Sequence, residues 1–228
     1  SRVVQLMEIA EWEARREQAR SRSARAIKAL CATETPLPVK VFLERLWLRV
    51  LAHIHQTKGE KSVEWVQALA VADRLIASVQ PKTDAETRKS LASELPALLR
   101  ELREGLDIIG TPEILRERAL HSFATLHSAA LHGRQVEPTI LEDELPPSMP
   151  PRLDTVKDCP DLFIVRLSPD SEQERELPEG LSSLKPGDWL QITPPGMSCQ
   201  RLRVGWLGGQ PRMLLLTRAD NAPAFLLP

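Results

Sequence analysis

The chain has no tyrosine, and its nine aromatic residues are five tryptophans and four phenylalanines in 228 positions. The absence of tyrosine removes one common proton donor and one common stacking group from any site. Only three cysteines occur, Cys31, Cys159 and Cys199, with no C-x-x-C pair. That excludes a disulfide framework and argues against zinc or redox chemistry, and it points to a reducing, cytoplasmic setting. No apolar run approaches the roughly 18 residues that span a bilayer, and the start of the chain has no signal-peptide pattern, so no membrane partner is expected. Beginning at Ser1 without Met, the sequence is expected to be a trimmed piece of something longer.

Charge of one sign is also lacking. The net charge is -1, but residues 1–135 carry 21 Lys/Arg against 17 Asp/Glu and the remainder 9 against 14. A mildly basic half followed by an acidic half does not support strong, salt-dependent binding to phosphate backbones. The arginines at 15, 16, 20, 22 and 25 could form a nucleic-acid patch. Glu13 lies three residues before Arg16, however, and Glu11 four before Arg15, the spacing of an ion-paired, solvated helix. Nucleic acid is therefore not the expected partner.

The common catalytic signatures are missing as well. There is no G-x-S-x-G elbow, no H-E-x-x-H, no P-loop and no G-x-G-x-x-G. The five histidines, at 53, 55, 121, 127 and 132, have poor spacing for a shared metal and are expected at the surface or at helix ends. No catalytic residue, metal or cofactor is assigned, and an enzyme is not expected.

What is present begins with helical periodicity. A long helix is expected over roughly Arg2 to Ala32, with an apolar stripe at Val3, Leu6, Met7 and Ala10 and again at Ala26, Ile27 and Leu30. Pro36 and Pro38 open a second helix, buried through Val39, Phe42, Leu43, Leu46, Trp47, Val50, Leu51 and Ile54. Ser62 caps a third, running to about Val79 with Trp65, Leu69, Ala72 and Ile76 on one face. Thr83 and Glu86 form a T-x-x-E capping box for a fourth, buried through Leu95 to Ile109 and expected to kink at Pro96. Thr111 caps the fifth, whose Ile114, Leu115, Phe123, Leu126, Ala130 and Leu131 face inward and which ends at Gly133.

The pattern then changes. Residues 135–153 turn to Pro, Glu and Asp and are expected to be an extended linker. Beyond them come five short β-like runs: Leu162 to Leu167, Trp189 to Ile192, Arg201 to Leu207, Met213 to Thr217 and Ala224 to Leu227, with Pro-Gly turns at 186–187 and 195–196. The fold class is therefore α+β: a helical domain of about five helices over 1–134, an acidic proline-rich linker over 135–153, and a small β-barrel over 154–228.

Two features of the barrel bear on ligands. Arg201 and Arg203 lie two apart on a strand, so they share one face while Leu202 and Val204 take the other. Paired guanidiniums can grip a phosphate or carboxylate, although ordinary solvent-facing residues would look the same. Trp189 and Trp206 could stack on a base, with core packing as the expected alternative.

Several segments resemble a known family. Val39 to Leu51 (V-x-x-F-L-x-x-L-W-x-x-V-L), Glu64 to Leu69, Asp73 to Lys82, Leu95 to Leu106 and Leu126 to Leu131 look like the C-terminal part of a large uncharacterised bacterial family whose members are often labelled thymidine phosphorylase-like. Leu184 to Leu190 (L-x-P-G-D-W-L) and Arg201 to Leu207 (R-L-R-V-G-W-L) resemble that family's PilZ-like tail. The resemblance covers most of the chain. A PilZ likeness implies a receptor for cyclic di-GMP, bound through R-x-x-x-R in the entry segment and D/N-x-S-x-x-G near an early strand. Here the entry segment offers Arg152 and Lys157 at another spacing, and Asp170 and Ser171 are adjacent with no following glycine in register.

The residues assigned to ligand binding are accordingly Arg152, Arg201, Arg203 and Trp206. The function expected is a noncatalytic bacterial adaptor or regulatory module with a protein partner, and the alternative is a cyclic di-GMP receptor of nonstandard mode. Self-association is left open.

Overall fold

The computed structural model describes residues 2–31, 35–134, 152–156, 159–166, 183–208, 212–220 and 222–227. The chain forms two compact units, one comprising residues 1–21 and 148–228 and the other residues 22–147. Residues 135–151 of the expected linker, together with Lys157, Leu167, Asp170 and Ser171, lie outside the described residues.

The helices are α1 (Arg2–Leu30), α2 (Leu37–Phe42), a π-helical turn over Leu43–Trp47, α3 (Leu48–Lys58), α4 (Val63–Ser78), α5 (Ala85–Ile108) and α6 (Glu113–Leu131). The second expected helix is thus α2, the π turn and α3 in succession. Ser62 caps α4 as its position predicts, its Oγ accepting from the Trp65 N–H at 3.1 Å. Two other caps differ from expectation. Asp84, not Thr83, caps α5, accepting from the Thr87 N–H at 2.9 Å. The α6 N-cap is Pro112, with no side-chain cap, and the Thr111 hydroxyl expected there is buried without a hydrogen-bond partner among the described residues.

The core of the helical unit is built from Phe42, Leu43, Leu46, Trp47 and Leu51, meeting Leu75 of α4, Leu102 and Leu106 of α5 and Phe123 of α6. Phe42 and Phe123 meet edge to face with centroids 5.0 Å apart. Ile114 was expected inside but is 69% exposed. It stands nine residues before Phe123, which at 3.6 residues per turn places it on the opposite side of α6.

The strands are β1 (Arg152–Val156), β2 (Cys159–Arg166), β3 (Trp189–Ile192), β4 (Gln200–Gly208), β5 (Met213–Thr217) and β6 (Pro223–Leu227). All five expected strands are present. β1 is an addition that begins in the last two positions of the expected linker. The sheet order is β1-β2-β6-β5-β4-β3, with β2 and β6 parallel and the other neighbours antiparallel.

This sheet is not closed into the expected barrel. β1 and β3 stand at its two ends, and among the described residues they pair with nothing but β2 and β4. Helix cover takes the place of closure: Leu6, Ala10 and Ala14 of α1 pack on Leu162, Ile164, Met213, Leu215 and Leu226 of one sheet face. The buried α1 stripe is therefore 6, 10, 14, a four-residue spacing that leaves Met7, expected in the stripe, 40% exposed. The other face carries Val165, Leu202, Val204, Leu216, Ala224 and Phe225. The alternation of apolar residues to both faces in β2 and β5 marks strands covered on both sides.

Candidate functional site

The arginine pair sits on a face set by a turn. Gly187 has φ of 106°, a conformation that suits the third position of a Pro-Gly turn. Asp188 locks that turn, its carboxylate accepting from the Lys185 N–H at 2.8 Å. The turn is tied to β4 by the Gly187 N–H donating to the Val204 carbonyl at 2.7 Å and the Val204 N–H to the Asp188 carbonyl at 2.8 Å. Together these set the register in which Trp189 pairs with Arg203 and Gln191 with Arg201.

Paired residues share a face, so Trp189, Gln191, Arg201 and Arg203 point one way, and all four are exposed. Leu190, Ile192, Leu202 and Val204 point the other way, into the apolar cluster. The guanidinium of Arg201 lies over the Trp189 ring, 5.1 Å from its centroid, a cation–π contact worth about 0.5–1 kcal/mol at an exposed position. Arg203 Nε donates to the Gly187 carbonyl at 3.4 Å. Trp189, expected to be packed in a core, is 46% exposed. Its strand has four residues and, among the described residues, pairs with β4 alone.

The other two assigned residues lie elsewhere on the sheet. Arg152 lies in β1, at the opposite end of the sheet. In the sheet order four strand spacings separate β1 from β4, about 19 Å along the sheet. Trp206 is half-buried against the cluster that includes Met213 and Leu215. A bulge puts it there: Val204 pairs with Leu216 and Trp206 with Leu215, leaving Gly205 as the extra residue. A Cβ at Gly205 would come within 2.9 Å of the Thr217 methyl, and one at Gly208 within 2.5 Å of the Trp206 ring. Simple alternation from Val204 would put Trp206 on the face of Leu202 and Val204; the bulge instead turns it to the face that carries Arg201 and Arg203, where it packs against Met213 and Leu215.

A buried polar pair in the helical unit escaped the sequence reading. His127, expected at the surface, is 4% exposed, and its Nε2 lies 2.8 Å from Ser78 Oγ. Ser78 Oγ also donates to the Leu75 carbonyl at 2.7 Å. With its one proton committed there, Ser78 accepts from a neutral, Nε2-protonated imidazole. In that arrangement the pair satisfies two buried polar groups. Burial lowers the pKa of His127 to about 4. The only signal for this pairing was the position of His127 one turn beyond Phe123 on the buried stripe.

The remaining histidines fit expectation more closely: His53, His121 and His132 are exposed, and His55 is half-buried edge-on to Trp65 at 5.6 Å. Among the described residues, no group of three His, Cys, Asp or Glu is placed to hold a metal ion. Nor, among the described residues, is any helix long and apolar enough to cross a membrane. Along α1, Glu13 and Arg16 pair at 3.2 Å as their spacing predicts, and the Arg16 guanidinium lies 4.8 Å from the Trp12 ring centroid.

No curated protein and no solved structure matches the chain. A family model does match, over residues 9–124, just over half of the chain and spanning most of α1 through most of α6. The chain belongs to the family described as protein of unknown function (DUF1631), and residues 9–124 match the model of that family's third domain.

Proposed function

We propose that the chain is a noncatalytic adaptor or regulatory module that works by binding another protein, and that the β3–β4 face is its contact surface. The observation that carries this reading is the exposed Trp189 ring with Arg201 stacked on it, beside Arg203 and next to the unpaired edge of β3. Tryptophan and arginine dominate the energetics of protein interfaces, because each offers large contact area together with a directional polar group. Two guanidiniums on one face favour an acidic partner surface. The three thiols, Cys31, Cys159 and Cys199, are free, which is consistent with a reducing, cytoplasmic setting. Affinity capture with the wild-type chain and with an Arg201→Glu/Arg203→Glu variant tests the reading. The expected result is a partner retained by the first and lost from the second at unchanged melting temperature.

The same face supports a second reading, in which a PilZ-like sheet binds cyclic di-GMP in a nonstandard mode. Arg201 and Arg203 would hold phosphates, and Trp189 would stack on a guanine once Arg201 moved off its ring. Titration calorimetry with cyclic di-GMP tests this reading, and absence of heat at high micromolar nucleotide would end it.

A further inference from the structure

Strand β3 presents its outer edge in a defined register. The Val204 N–H donates to the Asp188 carbonyl at 2.8 Å, which makes 188 and 204 a hydrogen-bonded pair of the antiparallel ladder. Such pairs alternate along two strands. Leu190 with Leu202 and Ile192 with Gln200 are therefore hydrogen-bonded as well, and the backbone N–H and C=O of Trp189 and Gln191 turn away from β4. Among the described residues β3 pairs with β4 alone, so these groups form an open edge. Pro186 and Pro194 bound it, which restricts it to a short segment. The two faces beside this edge differ. One carries Trp189, Gln191, Arg201 and Arg203, all exposed. Arg201 contacts the Trp189 ring and Arg203 the Gly187 carbonyl, and among the described residues neither guanidinium is in an ion pair. On the other face Leu202 and Val204 are each 1% exposed, whereas Leu190 and Ile192 are only half-buried. Apolar cover runs out at β3.

These two faces select the occupant. An extended segment laid along the edge bonds to the backbone of Trp189 and Gln191 and sends its side chains alternately to the two faces. On the first face it lies two strand spacings from β4, about 10 Å, a span that an extended Glu and an extended Arg bridge together, so acidic residues fit there. On the second, apolar residues would cover Leu190 and Ile192. A second copy of the chain suits the edge poorly, because two β3 strands paired about a two-fold axis would gather the guanidiniums of both copies on one face. Building on the reading of the β3–β4 face as a protein contact surface, we propose that β3 receives a short extended segment of another protein as a seventh strand, in which Asp or Glu alternates with apolar residues.

The test is amide exchange followed by NMR on the full chain, with a blocked hexapeptide of alternating Glu and Val as probe. The expected result is slowed exchange at Trp189 and Gln191, while Leu190 and Ile192, already bonded to β4, change little. A Lys–Val peptide should bind about tenfold more weakly, as should the Glu–Val peptide to an Arg201→Glu/Arg203→Glu variant whose melting temperature holds. Methylating the amide of every Glu, or of every Val, removes the donors on one side of the peptide strand, so one of these two peptides should lose the protection and the other keep it. Equal binding of both methylated peptides, or unchanged exchange at Trp189 and Gln191 at saturating probe, would overturn strand addition. A partner still captured through Arg201 and Arg203 would then leave the contact face itself standing. Strand addition by another protein is equally overturned by tighter binding of a peptide spanning residues 135–151, by protection of these amides from cyclic di-GMP in place of the peptide, or by protection that grows with protein concentration in the absence of any probe.

Discussion

The indole of Trp47 fills the space that a side chain at Gly105 would need. A Cβ built on Gly105 would lie 2.5 Å from Cη2 of the ring and 2.6 Å from Cζ3. Trp47 is fully buried there, and its Nε1–H donates to the Ala68 carbonyl of α4 at 2.9 Å. One residue therefore joins the π turn to α4 by a hydrogen bond and to α5 by close approach. Gly105→Ala should destabilise the helical unit by about 1–3 kcal/mol, because the added methyl would force the buried, hydrogen-bonded ring to shift. Urea unfolding followed by tryptophan fluorescence measures the effect, and a change under about 0.5 kcal/mol would contradict this packing.

His127 should make the helical unit sensitive to acid. Its folded pKa, lowered by burial to about 4, lies below the unfolded value of about 6.5. Between these two values the unfolded chain binds the proton and the folded chain does not. The stabilisation is therefore complete above about pH 6.5 and is lost progressively as the pH falls toward 4, by at most roughly 3 kcal/mol. His127→Gln, which keeps a donor for Ser78 but does not titrate, should flatten that slope. Denaturant midpoints measured from pH 7.5 to 4.5 for both proteins decide the matter, and parallel curves would rule out His127 as the cause.

The β4 bulge offers a test in the sheet. Gly205→Ala should cost about 1–2 kcal/mol through the clash with the Thr217 methyl, which a Cβ would approach to 2.9 Å. Thr217→Ser removes that methyl and keeps the hydroxyl that contacts the Arg203 carbonyl at 3.4 Å. The double variant should recover at least half of the loss, a coupling read from thermal melts of the two single variants and the pair. Strictly additive costs would place the strain elsewhere.

Ser62→Ala should cost about 1 kcal/mol, because the Trp65 N–H then loses its acceptor at the start of α4. Ser62→Asp should hold stability near wild type by restoring an acceptor and adding a charge that suits a helix N-terminus. Equal loss in both variants would show that the serine acts through something other than capping.

Periodicity and breakers made most of the fold legible. Trp189 to Ile192 and Met213 to Thr217 form strands at the residues expected, and Ser62 and Gly133 mark helix ends where they should. The errors arise where a distant contact or a one-residue shift in local geometry decides the outcome. The open sheet follows from α1 covering one face, a contact between residues far apart in sequence. Trp206 changes face through a one-residue bulge that no alternation count registers. Thr83 and Asp84 are both good caps one residue apart, and local geometry chose the second. For the site, the shared face of Arg201 and Arg203 was readable from spacing alone, whereas the partnership with Trp189 required the β3–β4 register and the separation from Arg152 required the strand order.

The most direct measurement of the proposed interaction is photo-cross-linking in the source cells. Gln191 is exposed and pairs with Arg201 on the proposed contact face, whereas Glu86 is exposed on a helix of the other unit. With a benzoylphenylalanine at position 191, a discrete cross-linked protein is predicted that disappears when Arg201 and Arg203 are changed to Glu, and position 86 should not yield it. Absence of any adduct at position 191, or an identical adduct from both positions that survives the charge reversal, would contradict a protein-binding role for this face.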